Sequence, residues 1–128
     1  MTRIYLVEDS HLVRGQLTAA LANVEKTELV GWSSSAAEAV EEIRQRRPDI
    51  VVLDIQLEQG SGWDVLHALR AGRLGMTIIV FTNHASYPFR SECERLGASY
   101  FFDKAREFDQ FMETVSMLAA AANSSDTL

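Results

Sequence analysis

The sequence predicts an α/β domain built on a parallel β-sheet. Short runs of β-branched, leucine or aromatic residues alternate along the chain with longer segments of helical periodicity, which is typical of repeated βα units. Three of the short runs are continuously apolar, as expected for strands covered by helices on both faces. A chain of 128 residues, 47% of them hydrophobic, can bury one such core.

Five short runs are predicted to be the strands. They lie at residues 4–7, 28–32, 50–53, 77–81 and 100–102. Parallel strands need a crossover connection, so a helix is expected after each run. This alternation favours a doubly wound, flavodoxin-like sheet with strand order 2-1-3-4-5 and five helices.

Apolar residues at helical spacing predict the connecting helices. The stripes of the first and last helices are Leu17, Ala20, Leu21 and Val24, and Phe108, Phe111, Val115 and Leu118. Ser35 followed by Glu38 is typical of a capping box at the start of the second helix. Trp63 is predicted to pack at the start of the third helix.

Proline and glycine mark the limits of the fourth helix. Ser86 and Pro88 indicate its start, and Gly97 after Leu96 indicates a left-handed stop. Residues 1–122 are therefore predicted to form the domain. The small and polar residues 123–128 are predicted to be a flexible C-terminal tail.

Charge and cysteine content exclude several classes of function. The formal net charge is -6 and the basic residues are scattered, so no direct binding of nucleic acid is expected. Cys93 is the single cysteine, so no intramolecular disulfide can form, and its spacing to the histidines does not fit a zinc site. Without a charged leader or an apolar run near the roughly 20 residues that cross a bilayer, a cytoplasmic location and no membrane contact are expected.

Polar residues at the ends of the predicted strands are the candidates for chemistry, because ligands of an open parallel sheet bind beyond the carboxyl ends of its strands. These residues are Glu8, Asp9, Asp54, Thr82, Asp103 and Lys104. Singly, each acid would more often be a helix cap or a solvated loop residue. On neighbouring strands, three of these carboxylates, those of Glu8, Asp9 and Asp54, are predicted to share one pocket with the hydroxyl and the ammonium.

Carboxylates brought this close repel one another, so a positive charge is expected among them. Lys104 supplies one charge and leaves a deficit. Oxygen ligands with several waters suit Mg²⁺, or Mn²⁺, and the charge balance therefore predicts a divalent metal ion. Asp54 is the strongest candidate for a reactive group, since it follows four apolar residues at the edge of a buried strand.

Four motifs in this order resemble the receiver domain of bacterial two-component response regulators, over residues 3–121. The segments that carry the resemblance are 4–9 with Arg14, 48–54 with Gly62, 79–82, and 97–104. The resemblance implies that Asp54 is the phosphoacceptor, which a sensor histidine kinase or a histidine phosphotransfer protein would phosphorylate to an acyl phosphate.

The same resemblance implies the roles of the neighbouring residues. Asp9, Asp54 and the backbone carbonyl of Gln56 would ligate Mg²⁺, with Glu8 acting through a water. On the other side, Lys104 and the Thr82 hydroxyl would hold the phosphoryl oxygens.

The resemblance also implies a conformational switch. Thr82 would move toward the phosphoryl group and Phe101 would turn inward, which changes the face formed by the fourth helix, fifth strand and fifth helix. A homodimer through this face is expected. The aromatic residues expected on a partner-facing surface are Tyr87, Phe89 and Tyr100.

Departures from the family pattern lie close to the predicted site. Ala105 stands where a proline, often preceded by a cis peptide, is usual, and Asn83 stands where a smaller residue is usual. Glu58 replaces a loop proline. We expect these changes to tune the lifetime of the acyl phosphate, whereas His84 is expected to be an ordinary exposed histidine.

Rival interpretations differ in what they require of the same positions. A haloacid dehalogenase-like phosphohydrolase needs an aspartate where Gln56 stands, and a flavin-binding domain needs a loop that does not repel phosphate as Glu8 and Asp9 do. A receiver-like module that binds partners without phosphorylation remains open because of Asn83 and Ala105. The output also remains open: the domain would be a regulator by itself, a relay carrier or part of a longer protein.

Overall fold

The computed structural model describes residues 1–72, 75–83 and 86–124, with the side chains of residues 71, 72, 87 and 124 left out. The elements in chain order are β1 (Thr2–Val7), α1 (His11–Leu21), β2 (Thr27–Ser33), α2 (Ala36–Arg46), β3 (Ile50–Leu53), α3 (Gly62–Gly72), β4 (Thr77–Thr82), α4 (Tyr87–Arg95), β5 (Tyr100–Asp103) and α5 (Phe108–Ser124). None of the helices in these ranges combines the length and the apolar character that crossing a bilayer requires.

The five strands form one parallel sheet in the order β2-β1-β3-β4-β5, which confirms the predicted fold class. Every residue of β3, the central strand, is buried. The continuously apolar run at residues 50–53 is explained by this position, because both faces of a central parallel strand are covered by helices. The other strands extend one or two residues beyond their predicted limits.

Helices cover the sheet on both faces. On one face, α1 and α5 pack on the sheet through residues that include Leu17, Leu21, Phe111 and Val115. On the other face, α2, α3 and α4 bury residues that include Ala39, Ile43, Val65, Leu66 and Cys93. This arrangement leaves the carboxyl ends of β1, β3, β4 and β5 together at one rim of the sheet.

Helix termini follow the predicted signals with one correction. Ser35 accepts a hydrogen bond from the Glu38 N–H at 3.4 Å, but the Ser35 N–H donates to Ser33 Oγ at 3.3 Å. Ser33 therefore supplies the half of the capping box that was predicted for Glu38. At α4, Ser86 is the N-cap residue, although its side chain makes no capping hydrogen bond.

The last helix continues past the predicted boundary at residue 122. Asn123 is 9% exposed, and its amide group donates to Thr2 Oγ1 at 3.1 Å and to the Ala119 carbonyl at 2.6 Å. These bonds join the end of α5 to the start of β1. The rest of the predicted tail, residues 125–128, lies outside the described residues.

Candidate functional site

Backbone hydrogen bonds align the strand ends at the rim where the site was predicted. The Asp54 N–H donates to the Val7 carbonyl at 3.0 Å, which places the end of β3 beside the end of β1. The Lys104 N–H donates to the Thr82 carbonyl at 3.0 Å, which places the end of β5 beside the end of β4. Positions that are far apart in sequence therefore start from neighbouring backbone atoms.

Lys104 is the centre of the charged cluster. Its Nζ lies 2.7 Å from Asp54 Oδ2 and also donates a hydrogen bond to Glu8 Oε1. The side chains of Lys104, Asp54 and Glu8 are 10%, 7% and 4% exposed, so water screens these contacts only weakly. One ammonium thus compensates two buried carboxylates.

Burial and pairing act in opposite directions on these groups. Burial lowers the pKa of Lys104, but its hydrogen bonds and charge contacts with Asp54 and Glu8 outweigh this effect and raise that pKa above its ordinary value. Burial raises the pKa of Glu8, and the hydrogen bonds from Lys104 and the Ser10 N–H offset only part of the rise. Glu8 and Lys104 therefore each hold a proton more firmly than the same side chain in water would.

Asp9 completes the acidic group from the β1–α1 loop. Its Oδ2 accepts a hydrogen bond from the Glu58 N–H at 2.8 Å, which connects that loop to the segment after β3. One carboxylate oxygen from each of Glu8, Asp9 and Asp54 lies within 4.8 Å of the others. Three carboxylates and one ammonium carry a formal charge of -2, and this all-oxygen set fits a divalent ion such as Mg²⁺.

A cleft of about 380 Å³ opens over the acidic group. Its lining residues are Glu8, Asp9, Ser10, Val13, Asp54, Gln56, Leu57, Glu58, Asn83 and Lys104. The Gln56 N–H donates to Asp54 Oδ1 at 3.0 Å, so both oxygens of the Asp54 carboxylate accept a hydrogen bond. Thr82 stands at the same rim but is fully buried.

Arg14 is a contributor to the site whose contacts the sequence did not reveal. Its guanidinium donates to the Glu8 carbonyl at 3.1 Å and the Asp9 carbonyl at 3.4 Å, and its Cζ lies 3.8 Å from the centre of the Trp32 ring. Arg14 therefore holds the backbone of the β1–α1 loop at Glu8 and Asp9. Trp32 lies in the edge strand β2, and no sequence pattern indicates that its ring contacts Arg14.

The loop after β5 shows how the chain accommodates Ala105. Among the described residues there is no cis peptide bond, so the Lys104–Ala105 bond is trans. The Ala105 N–H donates to Asp103 Oδ1 at 2.8 Å, a bond that proline could not make. Lys104 reaches both carboxylates from this trans loop.

The remaining residues that the sequence singled out lie around the site. Phe101, which was expected to turn inward on switching, is already buried, with 5% of its surface exposed. Phe89 is partly buried and stacks on Trp63 at 5.5 Å, and Tyr100 is partly buried beside Phe102. His84 and the Tyr87 side chain lie outside the described part of the chain.

Comparison with known proteins gives one consistent result. The family model of the response regulator receiver domain matches residues 4–116. The sensory transduction protein LytT of Bacillus cereus is 31% identical over 91 residues, which cover 71% of this chain but 37% of LytT. The chain thus spans little more than a third of the length of that relative.

Solved structures agree with the family match. A two-component response regulator of the LuxR family from Aurantimonas sp. SI85-9A1 superimposes with a TM-score of 0.85 and 26% identity, covering 93% of this chain and 85% of that one. The BeF3-activated N-terminal receiver domain of RstA from Klebsiella pneumoniae gives a TM-score of 0.78 and 26% identity, with 91% and 97% covered. With the strand order and the acidic rim described above, these matches show that the chain belongs to the receiver domain family of two-component response regulators.

Proposed function

We propose that Asp54 is the phosphoacceptor of this receiver domain and that Glu8, Asp9, Thr82 and Lys104 assist the transfer. One observation carries the proposal: Asp54 is a buried carboxylate that Lys104 contacts at 2.7 Å and that lies among two further acids. The similar RstA domain is described as activated by beryllofluoride, which imitates a phosphoryl group.

The transfer forms a bond between a carboxylate oxygen of Asp54 and phosphorus. The bond between phosphorus and the donor breaks at the same time, and the donor leaves with its electron pair. Before the reaction, the Lys104 ammonium offsets the negative charge of the Asp54 carboxylate. Its ammonium is also near enough to hold a phosphoryl oxygen once that group is on Asp54.

Divalent metal binding is the second part of the proposal. Asp9, Asp54 and the backbone carbonyl of Gln56 would hold Mg²⁺ or Mn²⁺, and Glu8 would act through a water. A bound ion would neutralise negative charge on the phosphoryl oxygens during transfer. Its charge would also balance the formal charge of -2 at the rim.

The proposed output is a change at the α4-β5-α5 face. Phosphorylation adds up to about two negative charges beside Lys104 and Thr82. Because Phe101 is already buried, the change involves its contacts with α4 rather than an inward turn. A sensor histidine kinase or a histidine phosphotransfer protein is the proposed phosphodonor, a homodimer through this face is proposed, and the proposed location is the cytoplasm.

Phosphorylation is tested directly with a small phosphodonor such as acetyl phosphate and Mg²⁺. We expect intact-mass spectrometry to show one added phosphoryl group, which hydroxylamine removes because it cleaves acyl phosphates. Asp54→Asn should abolish the addition.

The matched control is Asp49→Asn, at the opposite end of β3, where Asp49 Oδ2 accepts a hydrogen bond from the Arg3 N–H at 2.8 Å. This variant should be phosphorylated as the parent is. No mass change in the parent, or an unchanged yield in Asp54→Asn, would overturn the proposal. The first outcome would favour the alternative, a module that binds partners without phosphorylation.

A further inference from the structure

We propose that Glu107 is a positioning residue that links the Lys104 loop to α4 through Arg90, so that the phosphoryl site and the α4 surface move together. The inference rests on the proposed phosphorylation of Asp54. It assigns the connection to an ion pair outside the cleft, at residues that the sequence patterns did not single out.

One carboxylate oxygen of Glu107 makes both connections. Glu107 Oε1 accepts a hydrogen bond from the Asp103 N–H at 3.0 Å, one residue before Lys104. The same oxygen accepts a hydrogen bond from Arg90 at 2.9 Å. A shift of the backbone at Asp103 therefore acts directly on a side chain of α4.

The loop between Asp103 and Glu107 is short and internally bonded. The Glu107 N–H donates to the Asp103 carbonyl at 2.8 Å, and the Ala105 N–H donates to Asp103 Oδ1 at 2.8 Å. The Phe111 N–H donates to the Glu107 carbonyl at 3.0 Å, which joins the loop to the first turn of α5. The segment that carries Lys104 is thus held as one unit, with Glu107 at its end.

Arg90 connects that unit to the buried aromatic residue of β5. Its Cζ lies 5.0 Å from the centre of the Phe101 ring, within the range of a cation–π contact. Arg90 therefore touches both Glu107 and Phe101 from α4. When Lys104 exchanges its contacts with Glu8 and Asp54 for a phosphoryl oxygen, Glu107 transmits the loop movement to Arg90 and so to the packing of α4 on Phe101.

The geometry favours a connecting role over a purely stabilising one. The side chains of Arg90 and Glu107 are 37% and 28% exposed, so the pair is partly screened by water and contributes little to folding. Substitutions at either residue should leave the core intact. Their effect should appear in the response to a ligand at Asp54.

The test is an NMR titration of the ¹⁵N-labelled chain with Mg²⁺ and beryllofluoride. The Lys104 amide signal reports binding at the site. The Phe89 and Cys93 amides and the Trp63 indole, which stacks on Phe89, report the position of α4. In the parent chain we expect both groups of signals to shift together.

Arg90→Met and Glu107→Gln should keep the shift of the Lys104 signal and lose most of the shift of the α4 signals. Glu107→Gln should in addition weaken beryllofluoride binding by about threefold to tenfold, because the loop loses a charged acceptor. The double variant should lose no more of the α4 response than either single variant, since the two residues act as one unit. Arg90→Lys, which keeps the charge, should restore part of the response.

Arg95→Gln is the matched control, because it removes another ion pair of α4, that of Arg95 with Glu92, without touching the loop. It should respond as the parent does. An α4 response that survives in both Arg90→Met and Glu107→Gln would overturn the inference while leaving phosphorylation of Asp54 intact. A parent chain with no shift at Lys104 would instead overturn the proposed function and this inference with it.

Discussion

The ammonium of Lys104 donates a hydrogen bond to Asp54 Oδ2 at 2.7 Å, from a strand end 50 residues further along the chain. The same ammonium contacts Glu8, so it neutralises part of the negative charge that would attract a divalent cation to the acidic cluster. We therefore expect Lys104 and a metal ion to compete for the acidic cluster, although both would favour the proposed phosphorylated state. This competition makes their effects separable by experiment.

Lys104→Met should change cation binding and phosphorylation in opposite directions. Loss of the ammonium raises the negative charge of the cluster, so Mg²⁺ should bind about threefold to tenfold more tightly. Phosphorylation by a small phosphodonor should become at least about tenfold slower, because a charge that stabilises the transferred group is lost.

Calorimetric titration with Mg²⁺ and a mass-spectrometric time course measure the two effects. Lys26→Met, at the chain's other lysine, is the control and should change neither quantity. Weaker Mg²⁺ binding in Lys104→Met would show that the lysine organises the metal ligands instead of competing for them.

Asp9→Asn should weaken Mg²⁺ binding by about tenfold or more, because it removes one of three carboxylates from an all-oxygen site. The amide oxygen of asparagine can still accept the hydrogen bond that the Glu58 N–H now gives to Asp9 Oδ2, so the loop should keep its shape. Calorimetry again provides the measurement.

Asp49→Asn has the same change of charge at the far end of β3 and should bind Mg²⁺ as the parent does. Equal affinity in the Asp9 and Asp49 variants would remove Asp9 from the proposed ligands.

Much of this architecture was predictable because its signals are local. The buried run before Asp54 and the polar ends of β1, β4 and β5 each follow from composition and strand direction, and the parallel order then brings Asp54 and Lys104 to one rim. The side-chain contacts of Lys104 with Asp54 and Glu8 place a positive charge among the carboxylates, as the sequence predicted, whereas the metal ion of that argument stays a prediction.

Contacts between distant surface elements were not predictable in the same way. The Arg14 contact with Trp32 and the Arg90 contact with Glu107 depend on how helices pack across the sheet, which periodicity does not specify. Asn123 also reads as a polar tail residue, yet its amide is satisfied by backbone and side-chain partners only once α5 is docked. Where a side chain has several possible partners, the sequence does not indicate which of them it contacts.

Gly62 lies where a side chain would displace the backbone of Asp54 and Ile55. A Cβ at this position would lie 2.6 Å from the Asp54 carbonyl oxygen and 2.5 Å from Ile55 Cα. Gly62→Ala should therefore reduce the free energy of unfolding by about 1–3 kcal/mol, the usual cost of overpacking, and slow phosphorylation. Urea denaturation and the phosphorylation time course measure these changes.

Gly15→Ala is the opposite case, since a Cβ there meets no atom within 4 Å on the exposed side of α1. This variant should gain about 0.5–1 kcal/mol from the higher helix propensity of alanine. If both variants were destabilised to a similar extent, the close approach at Gly62 would not be the cause.

Cys93 should make the stability of the domain fall at alkaline pH. The thiol is fully buried in α4, and burial raises its pKa from 9.0 to about 11. The unfolded chain therefore releases this proton near pH 9 while the folded chain keeps it, so the stabilising contribution is complete below 9 and disappears as the pH rises through about 11. Between about pH 8 and about pH 10.5, the parent should lose about 2 kcal/mol more stability than Cys93→Ala, as measured by urea denaturation.

The alanine variant is less stable at every pH because it leaves a cavity, so only the difference between the two pH profiles is informative. Tyr5, whose pKa is also raised by burial, is present in both chains and cancels from that difference. Parallel profiles would mean that the Cys93 thiol ionises as easily in the folded domain as in the unfolded chain.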